Sequence, residues 1–291
     1  MNPTGEKSQP GVLYVVATPI GNPGDITYRA VEVLKTADLV AAEDTRNTAR
    51  LFSSYGITTP LISCHEHNEE ERAQQLAEKL SNGASAALVS DAGTPSVSDP
   101  GYRVVLAALQ AGIRVVPVPG PSAPVAALSV SGLPSDKFFF AGFLPRKKGR
   151  REKILSRLED AGETLIFYES PRRLAALLDT LYQHLGDRQA MIAREVTKSH
   201  EEFIRGSLAE LIREVKQRSS IKGEVTLLVS GKSADEGGED RITEDLQSEI
   251  ETALSQGNLS PSRLAADLAR KYGVRKNTVY RILLDFQNRS R

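Results

Sequence analysis

Short apolar runs alternate with amphipathic segments over the first part of the chain. The runs are apolar nearly throughout, which is typical of strands buried on both faces of a parallel sheet. We predict strands at 11–17, 39–42, 61–62, 86–89 and 113–116. We predict helices between them at 27–36, 45–54, 69–81 and 101–111, with left-handed caps at Gly56 and Gly112. This alternation predicts an open, mostly parallel α/β sheet.

A second pattern of elements follows the apolar segment 138–143. Strands are predicted at 164–168, 190–193, 202–204 and 224–229, with helices at 171–184 and 207–218. The third and fourth of these strands could pair antiparallel. The pattern therefore predicts a second α/β domain with a mixed sheet, and we place the boundary between the domains near 130–137.

The charge changes sign twice after the second domain. Residues 232–251 hold eight acidic and two basic residues, whereas residues 261–291 hold eight basic and two acidic ones. An acidic stretch rich in glycine is typical of a solvated linker. The predicted organisation is a disordered N-terminus at 1–10, an N-terminal α/β domain at 11–132, a C-terminal α/β domain at 133–231, an acidic linker at 232–242 and a helical basic tail at 243–291.

Two helices are predicted in the tail, one at 261–273 and one at 275–286. Ala269, Gly273 and Val279 have the spacing of a helix-turn-helix, with a small residue, a turn glycine and an apolar contact. The motif alone does not distinguish binding to DNA, RNA or protein. A docking or dimer-stabilising module is the alternative.

Composition sets limits on where the protein works. Lys plus Arg and Asp plus Glu both number 37, so the net charge says nothing about partners. The single cysteine, Cys64, excludes an internal disulfide, and the polar first ten residues lack the apolar stretch of a signal peptide. No run approaches the roughly 20 apolar residues that span a bilayer. We therefore expect a cytoplasmic protein with no membrane segment.

Three loops rich in glycine and proline follow predicted strands, at 18–25, 90–101 and 117–123. In open α/β sheets, ligands bind outside the carboxyl ends of the strands. The second loop, with twelve residues, is too long for a minimal connection and offers backbone donors and two carboxylates. The first loop lacks the third glycine of the dinucleotide fingerprint, and a tight turn that caps the next helix explains it equally well. Together the loops predict a ligand site at this edge.

Six segments carry a resemblance to a known family. They are 17–22 (ATPIGN), 43–46 (EDTR), 90–95 (SDAGTP), 98–101 (SDPG), 119–123 (PGPSA) and 140–145 (FAGFLP). The chain resembles the tetrapyrrole methylase family, whose members bind S-adenosyl-L-methionine between two α/β domains. The resemblance covers about 11–231 and, more weakly, the tail. It is nearest to the members that methylate the ribose 2′-oxygen of a cytidine in small-subunit (16S) ribosomal RNA.

The resemblance implies a cofactor cleft between the two domains. Its residues from the first domain are Pro19, Gly21, Asp91, Gly93, Thr94, Ser122 and Ala123. Those from the second domain are Tyr168, Glu169, Ala193, Arg194, Gly223 and Glu224. The chain departs from the tetrapyrrole-acting members in having fewer glycines in the first loop and Ser90-Asp91-Ala92 in place of Gly-Asp-Pro. These departures point away from a porphyrin substrate, and a homodimer is expected because the family is dimeric.

The implied reaction joins a sulfonium methyl group to a ribose hydroxyl, which is a poor nucleophile at neutral pH. A positioned base would accelerate such a step by roughly 10²–10⁴-fold. The candidates are the carboxylates Asp25, Glu43 and Asp44, which lie at or near strand ends. Capping of the helix that begins near Thr45 explains Glu43 and Asp44 equally well.

Basic residues are the candidates for RNA contact. Arg46 is suited to bidentate phosphate binding. A further run, here called the basic segment, occupies residues 146–151 and contains Arg146, Lys147, Lys148, Arg150 and Arg151. Because the run follows the apolar strand just past the domain boundary, we expect it to rim the cleft and contact phosphates. A solvated face is the alternative.

Three other functions compete with RNA methylation. The cluster Cys64-His65-Glu66-His67 suggests a metal, but a closed structural site usually needs four ligands, so no metal is expected. A methylase of a tetrapyrrole-type small molecule would explain the loops but not the basic regions. A helix-turn-helix regulator with a ligand-sensing α/β part would explain the tail but not the loops. The leading prediction is an RNA methyltransferase whose partner is ribosomal RNA or the small ribosomal subunit.

Overall fold

The first sheet in the chain is parallel throughout. The computed structural model describes residues 11–232, 246, 248–250, 252–253, 261–272, 279–280 and 282–283. The sheet has the strand order β3-β2-β4-β1-β5. Its strands are β1 (Val12–Val16), β2 (Leu39–Ala42), β3 (Leu61–Ser63), β4 (Ala86–Val89) and β5 (Arg114–Val118). Every residue of β2 and β4 is buried, as the apolar runs predict, and the predicted parallel sheet is confirmed.

Helices cover both faces of this sheet. They are α1 (Tyr28–Thr36), α2 (Thr45–Tyr55), α3 (Glu69–Ser81) and α4 (Tyr102–Gln110). One apolar cluster joins the sheet to α1 and α2, and another joins it to α3 and α4. Thr27 caps α1 by accepting a hydrogen bond from the Ala30 N–H at 3.1 Å. Gly56 ends α2 in the left-handed conformation, with φ 60° and ψ 43°, and Gly112 has φ 71°, as predicted.

The second sheet is mixed, as predicted, with the strand order β6-β7-β10-β8-β9. Its strands are β6 (Phe138–Phe143), β7 (Thr164–Glu169), β8 (Gln189–Arg194), β9 (Glu202–Ser207) and β10 (Val225–Val229). Strands β6 and β7 are parallel, and the other neighbours are antiparallel.

The expected pairing of the third and fourth strands of this domain, now β9 and β10, is wrong. Strand β9 pairs with β8, and β10 lies between β7 and β8. A short connection, 195–201, returns the chain directly beside β8, which favours a local antiparallel pair. All five residues of β10 are buried, which suits a central strand, whereas no residue of β9 is buried, which suits an edge.

The second sheet also has helices on both faces. One face packs against α6 (Lys148–Leu158), α7 (Pro171–Leu185) and α8 (Leu208–Gln217). The other packs against α5 (Ala123–Ser129), whose buried Ala127 and Leu128 contact apolar residues of the second sheet. Since α5 directly follows the third predicted loop, it carries that loop from the first sheet to the second.

The chain divides into two compact units between Gly231 and Lys232. In the second unit, the predicted helix is present as Pro261–Tyr272. Buried apolar side chains form a core in this unit: Leu246, Ile250, Leu264, Ala265, Leu268, Val279 and Leu283. Residues 1–10, the linker beyond Lys232, Gly273 and most of the second predicted tail helix lie outside the described residues. Among the described helices, none is long and apolar enough to cross a membrane.

Candidate active site

The three predicted loops lie together at the carboxyl edge of the first sheet. Thr18 and Gly93 exchange backbone hydrogen bonds of 2.9 and 3.1 Å, which join the loops after β1 and β4. The buried Thr18 hydroxyl also donates to the Ser90 carbonyl at 3.1 Å. Thr94 donates to the Pro121 carbonyl at 3.4 Å, which adds the loop after β5. These contacts give the edge a fixed shape.

The long loop 90–101 is fixed at its far end by Glu69 of α3. The Glu69 carboxylate is 8% exposed and accepts hydrogen bonds from the backbone N–H groups of Gly101, at 2.8 Å, and Arg103, at 2.9 Å. A carboxylate at the first turn of α4 also interacts favourably with the helix dipole. Within the loop, Ser96 and Ser98 both have φ 68°, a conformation that costs energy outside glycine and that clusters at functional sites.

A cavity of about 330 Å³ opens beside these loops and is lined by residues from both sheets. Nine of the predicted cofactor residues line it: Gly93, Thr94, Ser122, Ala123, Tyr168, Glu169, Ala193, Gly223 and Glu224. Ten lining residues were not predicted: Ile20, Ala92, Val97, Asp99, Phe143, Ser170, Pro171, Val196, Val225 and Thr226. Asp99 and Phe143 stand inside two of the motif segments that carry the family resemblance, so that signal was present in the sequence.

Four predicted cofactor residues, Pro19, Gly21, Asp91 and Arg194, are not among the lining residues. Gly21 instead lies against the loop after β8, where a Cβ atom would meet Lys198 Cγ at 2.5 Å. Arg194 pairs with Glu202 at 2.9 Å. Pro19 adjoins the lining residue Ile20. Their assignment to the cofactor remains a prediction.

Asp91 belongs to a group of carboxylates at the ends of β2 and β4. Its side chain accepts hydrogen bonds from the Asp44 backbone N–H, at 3.0 Å, and from the Asn47 amide, at 2.9 Å. The Asp91 backbone N–H donates to Glu43 Oε2 at 3.3 Å. Asp91 therefore supports the first turn of α2 next to the cavity.

The candidate bases from the sequence lie outside the cavity lining. Asp44 caps α2 by accepting from the Arg46 N–H at 2.8 Å and pairs with the Arg46 side chain, and these bonds lower its pKa. Burial raises the pKa of Glu43. Asp25 ends a single 3₁₀ turn, and its Oδ2 is buried without a hydrogen-bond partner among the described residues. Their catalytic role remains a prediction.

The charged groups that line the cavity are the carboxylates Asp99, Glu169 and Glu224, and no lysine, arginine or histidine lines it among the described residues. Burial, and then the nearby Glu43 charge, raise the pKa of Asp99 to about 6. Burial also raises the pKa of Tyr168 to about 12, with a smaller effect from Asp99. Such a lining favours a ligand that carries positive charge.

The predicted RNA-binding residues lie on the protein surface. Arg46 is 84% exposed, and four of the five cations of the basic segment are exposed, while Arg151 is half-buried. The segment begins three residues after Phe143, a cavity-lining aromatic that is 58% exposed. His65 and His67 have ring centroids 5.9 Å apart. No group of three or more metal-ligating residues is present within the described parts of the chain.

The fold and the cavity define the class of protein, and comparison with known proteins agrees. Residues 12–212 match the family described as tetrapyrrole (corrin/porphyrin) methylases. The chain belongs to the tetrapyrrole methylase family, and it is a methyltransferase whose cofactor is S-adenosyl-L-methionine.

Its relatives carry one name, ribosomal RNA small subunit methyltransferase I. The protein of that name from Micromonospora olivasterospora is 47% identical over 93% of this chain and 85% of its own length. The one from Escherichia coli O157:H7 is 46% identical over 95% of this chain and 96% of its own length.

Solved structures with the same fold are more distant. A uroporphyrin-III-C-methyltransferase from Thermus thermophilus matches with a TM-score of 0.53 and 22% identity, over 76% of this chain and 94% of its own. A diphthine synthase matches with a TM-score of 0.58 and 16% identity, over 76% of this chain and 90% of its own. These similarities concern the fold alone.

The cavity fits the cofactor chemically. S-adenosyl-L-methionine carries a sulfonium and an ammonium group, and the carboxylates of the lining supply the complementary charge. Gly93 lines the cavity with φ 78°, and an added Cβ atom there would lie 3.5 Å from Ile20 Cγ2 and 3.8 Å from the Pro121 carbonyl. The backbone of the loop is thus exposed to a ligand without a side chain in between.

Proposed function

We propose that the protein methylates small-subunit ribosomal RNA and that the acceptor is the ribose 2′-oxygen of a cytidine. The observation that carries the proposal is the extent of the similarity. The relatives named for this activity are 44–48% identical to the chain over 93–96% of it. Their similarity extends beyond the family segment 12–212 into the C-terminal unit.

Surface features beside the cavity support a nucleic acid as the substrate. The exposed cations of the basic segment are suited to phosphates, and each phosphate contact would release condensed counterions. Phe143 offers an exposed aromatic face where a base could stack, next to Tyr168 at 5.4 Å between ring centroids. A small macrocycle would make no use of the basic segment.

The reaction depends on positioning by residues of this chain. When bound, the cofactor supplies an electrophilic methyl group. The cavity's loops hold the donor, and the basic segment and Phe143 hold the acceptor nucleotide. Holding two reactants in the geometry for attack contributes about 7–11 kcal/mol toward the barrier in favourable cases.

The test is methyl transfer from radiolabelled S-adenosyl-L-methionine by the full-length protein. The acceptors are assembled small subunits, naked 16S RNA, large subunits and a porphyrin precursor, each in a separate reaction. We expect label in the small subunit or its RNA alone. Label in the porphyrin precursor would support the tetrapyrrole methylase alternative. Cofactor binding without transfer to any acceptor would support the regulator alternative and refute the proposal.

The position of the methyl group has its own assay. A 2′-O-methyl group removes the hydroxyl that attacks the adjacent phosphodiester in alkali, so a modified ribose leaves a gap in an alkaline ladder. Digestion to nucleosides should yield 2′-O-methylcytidine by mass spectrometry. A labelled base in place of a labelled ribose would refute the ribose assignment while leaving the RNA assignment intact.

We infer further that the protein acts in the cytoplasm, where ribosomal RNA is made in bacteria such as those of its relatives, and that it is a homodimer. Exposed apolar side chains on α5 and β6 support self-association, among them Val125, Val130, Phe138 and Phe139. Sedimentation equilibrium tests this inference, and a monomeric mass at micromolar concentration would refute it.

A further inference from the structure

The proton of the acceptor hydroxyl must leave during methyl transfer, and the cavity wall determines where it can go. Three carboxylates line the wall among the described residues. Glu169 is 3% exposed, accepts from the Ser170 N–H at 2.7 Å and pairs with Arg173 at 3.1 Å. Glu224 pairs with Lys198 at 2.9 Å. Asp99 makes no ion pair with a described residue, so its charge is available to the cavity.

Asp99 lies among groups from several elements. Glu43 faces it from the end of β2, Asp91 from the end of β4, and Glu224 from the start of β10. Tyr168 of β7 also lies nearby, and Ser90 makes a hydrogen bond that opposes the effect of the negative charges. No cation acts on Asp99 among these described neighbours.

This environment suits a proton acceptor at neutral pH. Burial raises the pKa of Asp99 to about 6, and the Glu43 carboxylate makes the next largest contribution. At pH 7 a group with that pKa is about 90% ionised, and it is more basic than an ordinary aspartate by about two orders of magnitude. A base is most effective when its pKa lies near the working pH.

We propose that Asp99 takes the proton of the ribose hydroxyl during methyl transfer. The proposal rests on the proposed function. The hydroxyl oxygen forms a bond to the methyl carbon, and the bond from that carbon to sulfur breaks with its electron pair passing to sulfur. The proton passes to the Asp99 carboxylate and then to solvent. Asp99 lines the cavity, whereas Asp25, Glu43 and Asp44 do not.

The first test uses Asp99→Asn, which keeps the shape of the side chain and removes the basic oxygen. We expect the single-turnover rate of methyl transfer at pH 7.5 to fall about 100-fold. Affinity for S-adenosylhomocysteine and for the RNA should each stay within about twofold, because the loop is still anchored by Glu69. A variant rate within about threefold of wild type would overturn the proposal.

The second test is the pH profile, which a purely structural role would not change. The wild-type rate should fall as the pH is lowered through about 6, because the base becomes protonated. Asp99→Asn should lose this inflection. Glu43→Gln should keep it but move it to lower pH, because a negative charge that raises the Asp99 pKa is gone. Loss of the inflection in Glu43→Gln but not in Asp99→Asn would make Glu43 the acceptor and overturn the proposal.

A third readout needs no methyl transfer. Carbon-13 NMR of the aspartate carboxyl groups in the cofactor-free protein should show one titration near pH 6 that disappears in Asp99→Asn. Titration of Asp99 with an ordinary aspartate pKa would overturn the proposal. The proposed function fails separately, since a wild-type protein that labels no RNA refutes it whatever the variants do.

Discussion

Gly223 is the position where a single methyl group should separate stability from cofactor binding. It lines the cavity with φ 90°, and a Cβ atom there would lie 2.3 Å from Glu195 Cδ and 2.4 Å from its Cγ. Glu195 has little freedom to move, because it accepts from the Glu224 N–H at 2.8 Å and pairs with Lys198 at 2.9 Å. Gly223→Ala therefore displaces a side chain that holds the cavity wall.

The magnitude has two parts. An alanine with positive φ costs about 1–2 kcal/mol relative to its preferred conformations. Displacing Glu195 forfeits a charge-assisted hydrogen bond to the Glu224 backbone and a partly exposed ion pair, together about 1–3 kcal/mol. We expect the free energy of unfolding to fall by about 2–4 kcal/mol. The displaced carboxylate should also weaken cofactor binding, because Glu224 lines the cavity.

The assay is urea unfolding, with S-adenosylhomocysteine affinity measured by calorimetry. Gly112→Ala is the matched control, since Gly112 has φ 71° and an added Cβ atom would meet nothing within 4 Å. It should lose only the conformational part, about 1–2 kcal/mol, with unchanged affinity. Equal losses of stability in the two variants would refute the contact argument.

A double-mutant comparison isolates the contact. In a Glu195→Ala background the side chain that Gly223→Ala displaces is absent, so the added methyl group should cost no more than Gly112→Ala does. If Gly223→Ala costs the same in both backgrounds, the close approach to Glu195 is not the cause.

Three further outcomes are expected. Phe143→Leu should raise the KM for RNA about tenfold through weaker base stacking, whereas Phe138→Leu, on the same strand but away from the cavity, should leave it unchanged, and equal kinetics in both variants would refute stacking. Neutralising the five cations of the basic segment should flatten the dependence of RNA affinity on salt by about 0.7 log units for each phosphate that the protein no longer neutralises, without changing cofactor affinity, and an unchanged slope would make the segment a solvated face. Hydrogen bonds from Arg218 lower the pKa of Glu202 to about 2, so its stabilising contribution should disappear as the pH falls from about 4.5 toward 2. Glu202→Gln should remove that part of the acid sensitivity, as urea midpoints at pH 7 and pH 3 would reveal, and identical midpoint shifts in the variant and the wild type would contradict it.

The first sheet follows from the sequence because its signals are local. Four-residue apolar runs such as Leu39–Ala42 and Ala86–Val89 predict buried strands, and each runs into a segment with helical spacing. Helix ends are equally local, since Thr27 and Gly56 act through their own side chain and backbone. These features require no knowledge of distant residues.

Strand pairing in the second sheet depends on contacts far apart in the chain. Strand β10 enters between β7 and β8, more than 30 residues from either, and nothing in its five residues names those neighbours. Only its complete burial, visible as the run Val225–Val229, indicates a central position. The pattern predicts the strand but not its partners.

The candidate site shows the same division. Family motifs predict the loops, and nine of the thirteen predicted cofactor residues line the cavity. The role of a carboxylate within the motifs depends on which partner the fold brings to it. Asp44 finds Arg46 and the end of α2, and Asp91 finds Asn47, whereas Asp99 of the same loop faces the cavity without a cation. Spacing along the chain does not distinguish these three environments.

The equal numbers of acidic and basic residues conceal a separation of charge that the proposed reaction requires. The methyl donor is a cation in its reactive part, so it needs the carboxylates of the cavity, while RNA is a polyanion that those carboxylates repel. The two demands are compatible only if the acidic groups are recessed and the cations project at the surface. Asp99 is half-buried beside the cavity, whereas Lys147 and Arg150 are exposed a few residues beyond Phe143. Only the ribose of the target nucleotide, and not its flanking phosphates, then has to approach the acidic groups. Phosphates held on the basic segment would remain in solvent, where about one Debye length of ~10 Å at 0.1 M salt screens them from the cavity.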